Sequence, residues 1–178
     1  MLGHINYKNN SQLEPSLPEG LLNAQGLGTL QQYRYGLFSF GWCGCEIIAI
    51  YNFSQMVGKP RPLCDIAQEV YRYGHLLLGF FGTNVYVIPY YFRKHNIPTY
   101  TTRNRADFLR AAAKGKCGVV SFWTGKVMRS SIHTVAFRME EGGKVRVFNR
   151  YNKKDFDHVY DSLTDAFGAF PFLTANWI

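Results

Sequence analysis

Residues 44–52 read GCEIIAIYN, and this stretch decides how the rest of the chain is interpreted. A cysteine stands at the start of an apolar, helix-forming run, and Gly58 beyond it is a usual residue just past a helix end. The pattern predicts a helix from about Cys45 to Val57. Because a helix start carries about half a positive charge, it favours a thiolate over a thiol at Cys45. The alternative is a small buried cysteine in a core helix.

The residues after this helix predict further helices and then a sheet. Helical spacing predicts helices over about residues 63–73, 84–95 and 104–115, with Thr83 and Asn104 as N-caps of the last two. Short apolar or alternating runs predict strands over about residues 97–101, 117–123, 132–138 and 144–149. The E-E-G-G turn joins the last two as a hairpin, and a short helix near 161–167 precedes a final apolar segment, 170–178. Helices followed by an antiparallel sheet make this an α+β chain.

The N-terminal segment, well before the helix predicted at Cys45, is polar and rich in proline and glycine. Residues 1–28 are therefore expected to be an irregular lead-in, and residues 29–178 a single domain. Residues 33–42 predict a short strand followed by a loop. No apolar run reaches the ~18 residues that span a bilayer, and no signal peptide is evident, so we expect a cytoplasmic protein without a membrane span.

The four cysteines are expected to be reduced thiols, and their spacing fits no common zinc pattern. We therefore expect no bound metal. The net charge is +8, and the basic excess lies after residue 60. No base-reading helix or RNA-binding aromatic signature appears, so no nucleic-acid partner is expected. A basic soluble surface is one interpretation, and an acidic peptide or an anionic envelope as partner is the other.

A nucleophilic cysteine needs a base, and that base needs an orienting partner. Of the five histidines, four lie in segments without such a setting: His4, His75, His95 and His158. His133 instead lies on a predicted strand and shares a face with Val135 and Phe137, as a core histidine would also do. In the predicted hairpin, His133 comes opposite about residue 150, and Asn149, on the same face if the loop length allows it, can hold its ring. Asn149 can also be a turn residue, and Asn152 is then the alternative orienting side chain.

The order of these residues resembles that of the papain-like cysteine peptidases. It is most similar to a bacterial branch that includes bacteriocin-leader-processing peptidases and related uncharacterised domains. In that branch the nucleophile helix often reads C-G-P-x-A-L-x-N and ends in glycine, and Cys45, Ala49, Asn52 and Gly58 stand at the matching offsets. The strand H-x-V-x-V corresponds to H-T-V-A-F here, and the strand that ends in Asn corresponds to V-R-V-F-N. The resemblance covers about residues 35–178.

The resemblance implies a papain-like fold, with an N-terminal helical part packed on a C-terminal antiparallel sheet. It also implies a hydrolase, a thiol peptidase or amidase, that acts on a peptide or protein through Cys45, His133 and Asn149 without a cofactor. An acyltransferase that uses the same cysteine and histidine, and a peptide-binding module with weak or no turnover, are the alternatives. Cys43, which follows Gly41-Trp42, is the alternative nucleophile.

The chain departs from the family pattern at three positions. Family members carry a glutamine a few residues before the nucleophile, whose side chain helps to stabilise the oxyanion. Ser39 stands there in this chain, and the nearest glutamines are Gln31 and Gln32. Glu46 follows the cysteine and its charge opposes a thiolate, and Arg150 replaces the usual proline after Asn149. These departures support a slow enzyme or a non-catalytic relative.

Overall fold

The computed structural model describes residues 2–80, 82–125 and 131–178 as a mixed α+β structure. Within these ranges the α-helices are α1 (Leu2–Leu13), α2 (Gly28–Gln32), α3 (Phe40–Cys43), α4 (Cys45–Met56), α5 (Leu63–Gly74), α6 (Ile88–Lys94), α7 (Arg105–Ala111) and α8 (Leu163–Phe167). Short 3-10 turns lie between or beside them. The helix predicted after Gly44 is therefore confirmed as α4, and the fourth predicted helix is α7 with the short 3-10 turn that follows it.

The described strands form a small hairpin and one larger antiparallel sheet. The hairpin pairs β1 (Arg34–Tyr35) with β2 (Phe38–Ser39). The sheet has the order β3-β8-β4-β5-β6-β7. Its strands are β3 (Tyr100–Thr102), β4 (Cys117–Thr124), β5 (Ser131–Met139), β6 (Val145–Phe148), β7 (His158–Tyr160) and β8 (Phe172–Trp177). The α+β class expected from the sequence is confirmed.

The structure differs from the sequence-based expectation at the N-terminus, where residues 2–13 form helix α1 instead of an irregular lead-in. This helix has no apolar stripe, and two of its asparagines are buried. Asn10 donates to the carbonyl oxygen of Arg34 and accepts from its N–H, both at 2.9 Å. Asn6 donates to the carbonyl oxygen of Gly36 at 2.7 Å. Contacts with the β1–β2 hairpin therefore stabilise a helix that helical periodicity does not predict.

Two further local differences have simple causes. The N-cap after α5 is Asn84 and not Thr83, because the Asn84 side chain accepts from the N–H of Tyr86 at 3.1 Å. The predicted helix there is a 3-10 turn followed by α6, with Pro89 in its first turn, where no N–H is needed. Strand β7 was not predicted, since only three residues of a charged segment form it.

The large sheet separates two apolar cores. One core contains α4 and α5, with Phe53 and Phe92 as large buried rings, and it reaches Val119 on β4. The other core contains α7, α8 and the opposite face of the sheet, including Val135 and Phe137 of β5. Helix α4 lies against β4 and β5. The start of α4 is thereby placed beside the N-terminal end of β5, where the candidate site lies.

Candidate active site

A cavity of about 640 Å³ opens where the start of α4 faces the ends of β4 and β5. Its described lining contains Cys43, Cys45, Glu46 and Asn152 among apolar and aromatic residues, chiefly Trp42, Leu76, Phe80, Trp123 and Ile132. The indole of Trp42 donates to the carbonyl oxygen of Phe80 at 2.9 Å, which fixes part of the rim. The cavity therefore combines an apolar wall with two thiols and one carboxyl group.

Cys45 is the first residue of α4 and is 5% exposed. Its Sγ lies 3.1 Å from Oε2 of Glu46 and 4.0 Å from the carbonyl oxygen of Ile132, the residue directly before His133. Burial, followed by the charge of Glu46, raises the pKa of the Cys45 thiol well above its ordinary value. The helix start favours a thiolate, as the sequence indicated, but burial and a neighbouring carboxylate act more strongly in the opposite direction. At neutral pH the thiol is protonated.

Glu46 lines the same cavity and is 2% exposed. Burial raises the pKa of its carboxyl group to about 7. Gly82 leaves the room that this carboxyl group needs, because a Cβ at Gly82 would lie 3.3 Å from Oε2 of Glu46. The positive φ of +68° at Gly82 is also one that glycine adopts without strain. Close to neutral pH the cavity therefore holds a carboxyl group that is charged about half of the time.

Cys43 also lines the cavity, but its thiol has other neighbours. Its Sγ lies 3.4 Å from the carbonyl oxygen of Ser39 and 3.7 Å from that of Tyr35. Burial, with a smaller contribution from Glu46, raises the pKa of Cys43 to about 12. These contacts direct Cys43 toward the β1–β2 hairpin, whereas Cys45 lies beside β5.

The ring of His133 is held by the main chain of the residue after β6. Nε2 of His133 lies 2.8 Å from the carbonyl oxygen of Asn149. Burial lowers the pKa of His133 to about 4, so the ring is neutral at pH 7. A carbonyl oxygen only accepts, so Nε2 carries the proton and Nδ1 is the basic nitrogen.

His133 lies on the face of the sheet that the sequence predicted. It pairs with Phe122 in the register, and the two rings form an edge-to-face contact at 5.9 Å. Val135 and Phe137 on this face belong to the core with α7 and α8, whereas Ile132 packs on the core with α4. The described hydrogen bonds of Cys45 and His133 go to other groups and not to each other. Cys45 contacts the main chain of Ile132, beside His133, and His133 is not part of the described cavity lining.

Asn149 orients His133 through its carbonyl oxygen, and not through its side chain as the sequence suggested. The side chain of Asn149 accepts from the N–H of Gln25 at 3.2 Å and donates to Oε1 of Gln25 at 2.8 Å. The N–H of Asn149 donates to Oδ1 of Asn23 at 2.6 Å. Asn149 adopts a left-handed φ of 55°, which ends β6 and turns its carbonyl toward His133. Asn23 and Gln25, both near the start of the chain, thus hold this turn in place.

Sequence reasoning did not single out Gln25 or Asn23, because both lie in the segment expected to be irregular. They are 124 and 126 residues away from Asn149, and no local pattern indicates such a pairing. Glu46 was noticed only as a charge that opposes a thiolate. Its burial beside the thiol, which makes it part of the site, depends on the tertiary structure.

The remaining sequence candidates lie outside this arrangement. Nδ2 of Asn152 donates to the carbonyl oxygen of Gly41 at 2.9 Å, so Asn152 closes the cavity wall and does not hold His133. Gln31 and Gln32 are exposed on α2, and neither has a described hydrogen bond to Cys45. The other histidines lie on α1, after α5, after α6 and on β7: His4, His75, His95 and His158.

Among the described residues, no group of three His, Cys, Asp or Glu side chains is arranged to hold a metal ion. Nor does any helix in the described ranges combine the length and apolar character needed to cross a bilayer. A scan against models of protein families found no match. Searches of curated proteins and of solved structures likewise found no match. The site is therefore interpreted from its own chemistry.

Proposed function

We propose that this chain is a cysteine hydrolase, a papain-like peptidase or amidase, with Cys45 as its nucleophile. One observation carries the proposal: the Cys45 thiol lies in the wall of a cavity of about 640 Å³, at the start of α4 and 4.0 Å from the main chain directly before His133. A nucleophile at a helix start, beside a concave apolar surface, is the usual setting of such a site. The substrate would be a peptide or protein.

The proposed reaction uses only groups of this chain and water. Sγ of Cys45 attacks an amide carbonyl carbon, so that an S–C bond forms and the C–N bond breaks. The thiol proton passes to Nδ1 of His133 and then to the leaving amine. Water hydrolyses the thioester, and the thiol is restored. The N–H of Cys45, at the helix start, would donate to the oxyanion.

The hydrogen bond between His133 and Asn149 supports the role of His133. Because Nε2 donates to the Asn149 carbonyl oxygen, Nδ1 carries no proton at neutral pH, although the pKa of about 4 makes the ring a weak proton acceptor. The His133 ring lies on the sheet face that packs on α7 and α8, on the side opposite to α4. The proposed proton transfer therefore requires this ring to turn toward the Cys45 thiol when substrate binds. The raised pKa of Cys45 implies that the proton leaves during attack and not before it.

A peptide-binding module with little turnover is a second candidate, and one specific observation favours it. The thiol is buried and hydrogen-bonded to Glu46, which holds it in the protonated form. An acyltransferase is a variant of the first candidate in which an amine replaces water in the second step. For either candidate we propose a cytoplasmic location, where thiols stay reduced.

The test is cleavage of a mixture of short peptides that carries every residue type at each position, followed by mass spectrometry. The wild-type protein and a Cys64→Ala control are expected to cleave the same peptides, because the Cys64 thiol is buried on α5. Cys45→Ala is expected to abolish cleavage. His133→Ala is expected to reduce it by about 10²-fold or more, the usual contribution of a general base.

Three outcomes separate the candidates. Cleavage that survives Cys45→Ala would overturn the assignment of the nucleophile. Peptide binding without cleavage by the wild-type protein would favour the binding module. If added glycinamide captures the acyl group faster than water does, the protein is an acyltransferase. Circular dichroism of each variant checks that the loss of activity is not a loss of folding.

A further inference from the structure

Glu46 is an unusual residue for an apolar cavity, because a buried carboxylate is normally paired with a cation. Only 2% of it is exposed, and its described side-chain partner is the Cys45 thiol, a weak donor. In residues 2–80, 82–125 and 131–178, the ion pairs of the structure use other carboxylates. The charged form of Glu46 is thus left without a cationic partner from these residues.

We propose that Glu46 binds the free α-ammonium group of a peptide, so that the cavity takes the N-terminus of its substrate. This inference deepens the proposed function. Its catalytic part rests on the proposed hydrolase activity: Cys45 would attack the carbonyl of the first residue and release that residue as a free amino acid. The binding part does not require turnover. The substrate class is therefore peptides with an unblocked N-terminus.

The distance between Glu46 and Cys45 is what selects an α-ammonium over a side-chain cation. Oε2 of Glu46 lies 3.1 Å from Sγ of Cys45. A carbonyl carbon poised for attack lies about 3–3.5 Å from the sulfur, and the α-nitrogen of the same residue is about 2.5 Å from that carbon. The α-ammonium therefore falls within reach of the carboxylate. The cation of a lysine or arginine side chain lies several bonds further from the carbonyl of its residue and would extend past the Glu46 carboxylate.

Two opposing charges act on an ammonium group at the start of α4, and the attractive one is stronger. The start of α4 carries about half a positive charge, which by itself disfavours an ammonium group. The ionised form of Glu46, in the first turn, places a full negative charge in direct contact with the ammonium group in a buried setting, so that attraction dominates. Burial is the main cause of the raised Cys45 pKa and the charge of Glu46 the second. Pairing would remove this second contribution, so that a bound N-terminus would ease removal of the thiol proton.

The rim of the cavity suggests what the first residues of the peptide look like. Trp42 is 63% exposed, Leu76 39% and Trp123 37%, and all three line the cavity. These side chains can bury an apolar side chain of the peptide, and the indole faces also attract cations. We therefore expect peptides with a large apolar first residue to bind best.

In the proposed reaction the S–C bond forms at the first carbonyl as the peptide bond after the first residue breaks. The proton of the thiol is transferred to the leaving amine, which becomes the new N-terminus of the shortened peptide. Water then cleaves the thioester and releases the first residue with a free carboxylate. No oxidant, reductant or further co-reactant is needed.

The experiment measures binding by calorimetry to the full chain with Cys45→Ala, which prevents turnover. The probes are the peptide Phe-Ala-Ala-Ala amide with a free N-terminus and the same peptide with an N-acetyl group. We expect the free peptide to bind at least 10-fold more tightly. Adding Glu46→Gln is expected to remove this preference, whereas the exposed Glu141→Gln, in the turn between β5 and β6, should leave it unchanged.

The pH dependence of binding gives a second readout. Affinity for the free peptide should fall below about pH 7, where Glu46 gains a proton, and above about pH 8, where the peptide amine loses one. The other titratable groups that face Glu46 are Cys45, Cys43 and Tyr35, whose pKa values are all raised by burial. All three therefore stay protonated in this range.

Equal affinity for the free and the acetylated peptide would overturn the inference, as would an unchanged preference in Glu46→Gln. Cleavage of internal bonds by the wild-type protein, dependent on Cys45, would leave the hydrolase proposal standing while this inference fails. Conversely, a preference for the free N-terminus that depends on Glu46, without cleavage by the wild-type protein, would support this site and contradict the hydrolase.

Discussion

At the scale of single residues, the pair formed by Cys45 and Glu46 shows how burial outweighs a helix dipole. The dipole is worth about 0.3–1 kcal/mol at an exposed site, whereas burial can shift a pKa by several units. Burial raises the pKa values of both groups, and their 3.1 Å contact couples them. A reactive thiolate therefore has to be produced by what enters the cavity, and it is not the resting state.

Glu46 should make the stability of the protein depend on pH. The pKa of its carboxyl group is about 7 in the folded protein, compared with an ordinary value of 4.5 for an exposed glutamate. The folded state therefore binds more protons between these values, so the stability present below about pH 4.5 is lost as the pH rises through about 7. From pH 5 to pH 8 we expect the wild-type protein to lose about 2–3 kcal/mol more than Glu46→Gln does.

Urea denaturation at pH 5 and at pH 8 measures this difference. Glu141→Gln serves as the matched control, because the Glu141 side chain is exposed and should follow the wild-type pH dependence. Parallel pH profiles for the wild-type protein and Glu46→Gln would show that the Glu46 carboxyl group titrates as it does in the unfolded chain.

At the scale of elements, α4 links a neighbouring helix to the large sheet. It contacts α5 on one side and the strands β4 and β5 on another. Asn52 on this helix accepts from the N–H of Leu22 at 2.7 Å and donates to the carbonyl oxygen of Leu22 at 2.8 Å, all within the protein interior. One asparagine thus satisfies both main-chain groups of a buried connecting segment.

Replacing Asn52 by alanine should lower the free energy of unfolding by about 2–4 kcal/mol, because two buried main-chain groups lose their partners. The matched control is Gln55→Ala on the same helix, where the side chain is partly exposed and the change should cost much less. Chemical denaturation of both variants gives the comparison. Equal losses would mean that the effect of Asn52 comes from the helix and not from Leu22.

The elements also show which parts of the fold a local sequence pattern can predict. Helical spacing predicted α5 and alternation predicted the β5–β6 hairpin within a few residues, because these elements face a core on one side. Continuous apolar runs predicted α4 and β4, which are buried on nearly all sides. Helix α1 escaped prediction because its buried face carries asparagines instead of apolar residues, and β7 because it has only three residues. Asn10 of α1 pairs with Arg34 in the way a strand would, and this contact is not visible in the local sequence.

At the scale of the whole molecule, the N-terminal segment joins parts that lie far apart in the chain. Oε1 and Oε2 of Glu14 accept from the N–H groups of Leu63 and Cys64, at 2.6 and 3.0 Å, where α5 begins. Oε2 also accepts from the hydroxyl of Tyr33 at 2.8 Å. A side chain from outside the helix thus serves as an N-terminal cap of α5, and its charge suits the positive end of the helix dipole.

Glu14→Ala should therefore destabilise the whole protein by about 2–3 kcal/mol, which corresponds to a fall in Tm of about 5–10 °C for a chain of this size. Glu19→Ala is the control, since Glu19 is an exposed residue of the same segment. Thermal denaturation followed by circular dichroism measures both. A fall in Tm of the same size in the control would show that Glu14 acts by its charge alone and not through its hydrogen bonds.

The sequence by itself determined the α+β class, the helix that begins at Cys45, and the strand face on which His133 lies. These features depend on the spacing of residues that are close together in the chain. Only the tertiary structure decided that the Asn149 side chain binds Gln25 while its carbonyl holds His133. It also decided that the buried Cys45 and Glu46 lie together in the wall of one cavity. Protonation and long-range hydrogen bonds depend on burial, and burial depends on residues that folding brings together from distant parts of the chain.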